Sequence, residues 1–390
     1  MRKLNFQVLG IDPANKGACL MLAAVQQELA RRFEAPRVAV DIAMPFEERL
    51  RLGLWAVTPA NWTDGLGAGR LKDIAVRRMG GQARKLGLLH TSEIDVVLDA
   101  SGFAYGDFWG KAKFVNRLGK PTQAWKAEGK TVIALPQAWG AFTEPGFAEA
   151  IATYLSQADL VFARDRESMG FLEGTGLSGV EASPDFTNLL APALPPRYDD
   201  LRGAGFVIPN TKMLEARGEG ARAGYLDFLA QAVSCLQGFC PAVHILVHEG
   251  KKDLALSEEL NAALPAPLRI VDPADTLETK AILAQARALV SSRFHGLVSA
   301  LSAGVPSLAC GWSHKYAELM ADYGAGAHIA DLDAPESWPA LLEAFARDAQ
   351  DEAFRASLAE ASRTQKARAA AAWDRIGETI AAGTGVAQRG

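Results

Sequence analysis

Arg293 and His295 stand two residues apart in the stretch Ser291-Ser292-Arg293-Phe294-His295-Gly296-Leu297. An arginine offers a planar, permanently charged fork that matches carboxylate or phosphate. A histidine exchanges a proton near neutral pH. Together they suit an anionic substrate undergoing proton transfer. The surrounding pattern places them. Ala288 to Val290 reads as a short buried strand, Ser291 and Ser292 as helix N-caps, and the apolar run through Ala303 as a helix that Gly304 ends. Val305 to Cys310 then reads as a second buried strand. A strand-to-helix turn in a parallel sheet faces ligand, and a helix N-terminus favours an anion. The spacing alone leaves a plainer alternative open, in which Arg293 caps a loop and His295 is a satisfied core imidazole.

Four further segments carry groups of the same kind. Asp12-Pro13-Ala14-Asn15-Lys16-Gly17-Ala18 lies between the first strand and the first helix, where Gly17 allows close backbone approach. It has neither the Gly-Lys-Ser/Thr ending of a P-loop nor a dinucleotide fingerprint. Asp99 to Gly110 follows a buried strand. Its Gly102, Gly106 and Gly110 alternate with Tyr105, Phe108 and Trp109, which suit stacking on a sugar ring, and with Asp107, which suits hydroxyls. A glycine-rich loop with aromatics packed beneath it explains the segment equally well. Arg164-Asp165-Arg166 follows the strand Leu160 to Ala163, with Asp165 expected to orient the turn. His248 to Asp253 follows the strand Val243 to Val247, making His248 a second proton-transfer candidate and Lys251 or Lys252 a phosphate contact.

The elements that must position these groups alternate strand and helix. Strands are expected at Phe6 to Ile11, Val38 to Ile42, Ile94 to Asp99 and Thr131 to Leu135, the last closed by Pro136, with helices at Lys16 to Phe33 and Phe147 to Gln157. After the proline-rich break Pro192 to Arg197 the alternation resumes, with strands at Gly205 to Pro209 and Leu268 to Val271 and helices at Gly224 to Gln237 and Thr279 to Ala286. This predicts two α/β domains with parallel sheets: residues 1–196, then 197–337, followed by a helical tail over 338–390 that frays from Gly383.

Composition bounds the rest. The chain has 390 residues, is 49% hydrophobic and carries a formal net charge of -4, which gives no basic footprint for nucleic acid. It contains no apolar run long enough to span a bilayer, and Met1 to Asp12 reads as a first strand rather than a signal peptide. A cytoplasmic protein is expected, and peripheral membrane association is compatible with that. The sequence does not specify oligomeric state. Cys19, Cys235, Cys240 and Cys310 form no disulfide framework. Cys235, Cys240, His244 and His248 do not form a zinc set either, because two histidines four residues apart on a strand are about 13 Å apart. No metal is expected. Residues 44–90, including Trp55, Trp62, Arg70, Lys72, Arg77 and Arg78, combine tryptophan with basic residues, as an acceptor-recognition loop or an amphipathic helix would.

Taken together, Ser-Arg-Phe-His-Gly-Leu, Ala-Gly-Val-Pro, Trp312 to Lys315 and Tyr323-Gly324 resemble the signature of the polysaccharide pyruvyl transferase family. Asn15 to Ala18, Asp99 to Gly110, Leu135 to Phe142 and the Arg-Asp-x-x-Ser element at Arg164, followed by Pro184-Asp185, are similar to further family segments. The resemblance spans about Gly10 to Tyr323. It implies two Rossmann-like domains facing across a cleft, as in GT-B glycosyltransferases, and transfer of a pyruvyl group from phosphoenolpyruvate to a sugar of a glycan or lipid-linked saccharide, forming a ketal. Phosphoenolpyruvate is then the co-substrate, with no resident cofactor. The resemblance implies His295 and Arg293 as the catalytic pair. Donor contacts are expected from Arg164, Arg293, Ser292, Lys315 and His248, and acceptor or cleft contacts from Asn15, Gly17, Gly102, Tyr105 and Asp107. Two rivals are a nucleotide-sugar glycosyltransferase, against which stands the lack of a Glu-x7-Glu pair near 249–318, and a glycan-binding member without catalysis.

Overall fold

The computed structural model describes residues 2–58, 80–311 and 313–389. The chain divides into two compact units, each built on a parallel sheet. Unit 1 comprises Met1–Pro13, Met21–Pro184 and Ala371–Gly390; unit 2 comprises Ala14–Leu20 and Asp185–Ala370.

Unit 1 carries eight strands: β1 (Asn5–Leu9), β2 (Arg37–Asp41), β3 (Trp55–Thr58), β4 (Leu88–His90), β5 (Val96–Asp99), β6 (Thr131–Gln137), β7 (Leu160–Ala163) and β8 (Val180–Ala182). Their order is β4-β3-β2-β1-β5-β6-β7-β8. β5 and β6 are buried at every position, as expected of central parallel strands covered on both faces. β6 does not stop before Pro136. It runs through the proline to Gln137, with a register irregularity against β7 between Ala134 and Gln137 that accommodates the missing N–H.

Unit 2 carries five strands: β9 (Gly205–Ile208), β10 (Val243–Leu246), β11 (Ile270–Val271), β12 (Ala288–Ser291) and β13 (Ser307–Ala309), in the order β11-β10-β9-β12-β13. The side-chain period of two separates its cores. Phe206, Ile208, Leu246 and Leu289 join one apolar cluster, and Val207, Ile245, Val290 and Leu308 join the other. Strand order reverses between β9 and β12, so the crevice at their carboxyl ends is the switch point where such sheets bind ligands.

The division differs from the expected domains in three places. The boundary falls at Pro184/Asp185, because the proline-rich segment opens a 3-10 turn, Pro196–Leu201, whose Leu201 is buried in the unit 2 core. The first residues of the helix Lys16–Arg32 count with unit 2. The tail is no separate piece: its helices are Trp338–Gln350 and Glu352–Thr384, and the second contributes Leu358 to the unit 2 core and ends in unit 1. Nor does the chain fray at Gly383. That residue lies within the helix, where a Cβ would come 2.2 Å from Thr131 Oγ1, and farther on Arg389 N–H donates to the Arg32 carbonyl at 2.7 Å.

The segment 44–90 includes the short helix Phe46–Arg51 and strands β3 and β4, so Trp55 sits in a sheet rather than in a loop. Trp62, Arg70, Lys72, Arg77 and Arg78 lie outside the described residues, as does Trp312. No helix among the described residues is long and apolar enough to cross a membrane.

Candidate active site at the switch point of unit 2

The turn after β12 is held by side chains rather than by a serine cap. Ser291 ends the strand, Arg293 is the N-cap of the helix Phe294–Leu301, and neither serine caps it. Ser291 Oγ instead accepts from the Arg293 N–H at 3.0 Å. Ser292 is fully buried, and its hydroxyl accepts from Tyr225 at 2.7 Å. Its carbonyl accepts from both Asn210 Nδ2 at 2.7 Å and Tyr316 OH at 2.9 Å. Ser292 therefore fixes the path of the turn, which corrects its expected role as a donor contact. The helix ends at Leu301, and Gly304 adopts φ +74° after it.

His295 emerges on the first turn of that helix. Its Nε2 stands 3.6 Å from Oδ2 of Asp185. Asp185 is buried, and its other oxygen accepts from Thr187 N–H at 3.0 Å and Thr187 Oγ1 at 2.6 Å. The opposite edge of the imidazole lies against Gly17, where a Cβ would meet His295 Nδ1 at 2.3 Å. Asn15 Oδ1 accepts from Ala18 N–H at 3.0 Å, as a helix N-cap does. Lys16 secures this end by donating to the carbonyls of Pro273 at 2.7 Å and Val247 at 3.3 Å. Burial lowers its pKa from the ordinary lysine value, against the charge of Asp272.

Arg293 is not an open fork. Its Nε donates to Asp253 Oδ2 at 2.8 Å, a second nitrogen lies 2.6 Å from the same oxygen, and a third pairs with Glu249. Asp253 is fully buried and further fixed by Thr211 N–H and Oγ1 at 3.1 and 3.0 Å. Glu249 is about a quarter exposed, whereas Asp253 is fully buried. His248 follows β10 and is buried, and its Nδ1 has no hydrogen-bond partner among the described residues. Burial first, then the charges of Arg293, Lys16 and His295, push its pKa well below the ordinary histidine value. Both effects favour the uncharged imidazole. Lys315 sits over the Phe294 ring at 5.2 Å.

Five sequence candidates thus share unit 2's rim: His295, Arg293, His248, Asn15 and Gly17. Reading the sequence missed Asp185 as the partner of His295, and Asp253 and Glu249 as partners of Arg293. The Pro-Asp following the strand at 180–182 was the available signal for Asp185.

Arg164, Gly102, Tyr105 and Asp107 lie in unit 1. Arg164 follows β7 and is buried, with its N–H donating to the Gln137 carbonyl at 3.0 Å. Asp165 caps the helix Arg166–Glu173 through Ser168 N–H at 2.7 Å, as expected. Two expectations are corrected. Tyr105 is fully buried, stacked on Trp139 at 5.4 Å and bonded to Asp99, so it cannot stack on a sugar. Asp107 spends its carboxylate on Thr143 N–H and Oγ1 at 2.8 and 2.7 Å, which staples a loop. At Gly102 (φ +71°) the close neighbour is Met21, whose Cε would lie 2.9 Å from a Cβ. Phe108 and Trp109, by contrast, are exposed.

The family model of polysaccharide pyruvyl transferases matches residues 15–314, which take in Gly17, Asp185, His248, Arg293 and His295. The chain belongs to the polysaccharide pyruvyl transferase family. That membership makes it a transferase acting on polysaccharides. No curated protein matches it as a relative. Among solved structures it is similar to UDP-GlcNAc 2-epimerase from Neisseria meningitidis bound to UDP-GlcNAc (12% identity, TM-score 0.54, 96% of this chain and 99% of that one). It is likewise similar to S. aureus MnaA with UDP (14%, 0.54, 97% and 96%) and to the spinosyn rhamnosyltransferase SpnG complexed with thymidine diphosphate (14%, 0.53, 96% and 100%). At these identities the likeness concerns fold alone, two Rossmann-like domains of GT-B type.

Proposed function

We propose that this pyruvyl transferase family member moves the pyruvyl group of phosphoenolpyruvate onto two hydroxyls of a saccharide, releasing inorganic phosphate and leaving a ketal. Phosphoenolpyruvate is the co-substrate, and no resident cofactor is required. The observation that carries the reading is the His295–Asp185 pair, 3.6 Å apart at the switch point of unit 2. In the first step a hydroxyl oxygen bonds to the enol carbon C2 while C3 gains a proton. In the second, another hydroxyl oxygen bonds to C2 as the C2–O bond to phosphate breaks, and that hydroxyl's proton leaves with a base or the phosphate.

His295 supplies and removes these protons, and the Asp185 carboxylate orients the ring and balances the imidazolium when it forms. Arg293 meets the donor's carboxylate or phosphate once Glu249 swings aside. Lys315 and His248 are the further donor contacts within unit 2. Asn15 and Gly17 shape the site beside His295. The acceptor is a glycan or lipid-linked saccharide.

Phosphate release from phosphoenolpyruvate with a saccharide acceptor tests the reading. His295→Ala should abolish turnover without lowering the melting temperature, and Arg293→Ala should lose donor binding by calorimetry. Wild-type protein that binds uridine or thymidine diphosphate but not phosphoenolpyruvate would replace this reading with nucleotide-sugar transfer.

A further inference from the structure

The helix Thr276–Leu283 carries a lysine into the core of unit 2. Its residues Thr279 to Leu283 are buried, and Ile282 and Leu283 share an apolar cluster with Leu297 and Val298 of the helix that bears His295. Lys280 stands among them, 2% exposed. A buried ammonium is costly unless its surroundings compensate it, and a methionine would fill the same space without that cost. Lys280 Nζ donates to a hydroxyl, Ser302 Oγ, at 2.9 Å.

That bond ties Lys280 to the element that carries His295. Ser302 is the C-cap of the helix Phe294–Leu301, where a cation meets the negative end of the helix dipole. Ser302 Oγ donates in turn to the Ser299 carbonyl at 3.1 Å, and Ser299 Oγ donates to the His295 carbonyl at 2.6 Å. Ser362 Oγ holds the same end by donating to the Ser302 carbonyl at 2.6 Å. A second link runs through charge. Asp185 faces His295 Nε2 at 3.6 Å, and the same carboxylate acts on Lys280. One buried carboxylate thus serves two bases, an imidazole at the site and an amine in the core. Lys366, from the helix Glu352–Thr384, opposes the proton on Lys280. On the lysine's own helix Glu278 pairs with Arg197 and accepts from Tyr198, and Asp275 caps through Leu277 N–H. Tyr323, which donates to Asn188 Oδ1 at 3.3 Å, also feels Asp185. Burial above all lowers the pKa of Lys280 from 10.5 to about 7, into the range where an imidazole titrates.

We propose that Lys280 is a positioning residue for His295, a second cation for the Asp185 carboxylate whose own proton decides how firmly that carboxylate holds a proton on the imidazole. While Lys280 is charged, it shares Asp185 and repels a proton on His295. Once Lys280 is neutral, Asp185 faces the imidazolium alone, and the two titrations are coupled. The consequence for turnover rests on the pyruvyl transfer reading; the coupling between the two side chains does not.

The test follows the His295 ring by NMR titration of the full chain with isotope-labelled histidine, the signal being assigned with His295→Gln. In wild type the signal should titrate over a wider pH range than a single-proton curve, because two sites share one carboxylate. Lys280→Met should restore a single-proton curve and raise its midpoint by about 0.5–1 pH unit, as loss of a nearby like charge does. Lys280→Arg, whose charge is permanent, should lower the midpoint. His90, His244 and His328 are the controls and should keep their midpoints. A disturbed core would not move His295 in opposite directions in the two variants. A single-proton wild-type curve, or variants that leave the midpoint in place or move it the same way, overturns the coupling. The wild-type curve decides the matter by itself if neither variant folds. In phosphate-release kinetics the limb of the kcat profile set by His295 should move with the NMR midpoint. A midpoint that moves as expected in a protein that releases no phosphate from phosphoenolpyruvate would sink the transfer reading and leave the coupling standing.

Discussion

Asp185 Oδ2 stands 3.6 Å from Nε2 of His295, and the two residues are 110 positions apart in the chain. Asp185 is the first residue of the long unit 2 segment, and His295 rides the first turn of the helix after β12. Asp185→Asn retains an acceptor for Thr187 but loses the charge facing the imidazole. Turnover should fall by about 10²- to 10⁴-fold, the range of a lost acid–base contribution. Phosphate-release kinetics read this directly. A variant that keeps full kcat would separate Asp185 from the chemistry.

Glu249 competes with any anion for Arg293. Glu249→Gln removes that competitor while Asp253 continues to hold the guanidinium. Phosphoenolpyruvate should bind several-fold more tightly to this variant in calorimetry. Weaker binding would mean that Glu249 positions Arg293 rather than masking it.

Gly17 is the residue on which the far edge of the His295 ring rests. In Gly17→Ala the new methyl would begin 2.3 Å from Nδ1, so the ring must move. A displacement near 1 Å can cost about 10²-fold in rate. We expect a drop of that order in kcat with the melting temperature little changed. An active Gly17→Ala enzyme would show that His295 works from another position.

Lys280 gives unit 2 a signature in its pH dependence. It is buried, donates to Ser302 Oγ at 2.9 Å, and has its pKa lowered from 10.5 to about 7, by burial above all. The charge of Asp185 opposes that shift, and Lys366 adds to it. Between about 7 and 10.5 the unfolded chain holds a proton at this lysine that the folded chain does not. Its contribution to stability therefore rises with pH across that window and is flat below it. Denaturant titrations of wild type against Lys280→Met should show the variant's relative stability falling as pH rises from 7 to 10.5. A difference independent of pH contradicts the assignment.

Much of this arrangement was legible in the residues. Alternating apolar runs and turn residues located most strands within one or two positions, because buried parallel strands read as continuous apolar stretches. The Arg-Phe-His-Gly segment fell at a strand end, where a parallel sheet presents its ligand groups. What could not be read was pairing across the chain. Asp185, Asp253 and Glu249 are ordinary loop and helix-start carboxylates until folding brings them to His295 and Arg293. Tyr105 looked available to a sugar because its neighbours are glycines, yet Trp139 from another segment covers it. Pro136 looked like a strand end because its missing N–H is visible in sequence, whereas the irregular register that tolerates it is not.

The carbonyl of Ser292 has both its lone pairs engaged, one by Asn210 and one by Tyr316. The peptide plane ahead of Arg293 is thereby anchored from two other parts of unit 2. Evolutionary change at this site is channelled as a result. A drift toward a different anionic donor has little freedom in the course of the main chain and must proceed through exchangeable side chains such as Glu249 and His248. Homologues that replace Asn210 or Tyr316 are where a rebuilt loop, and with it a changed substrate range, is to be sought.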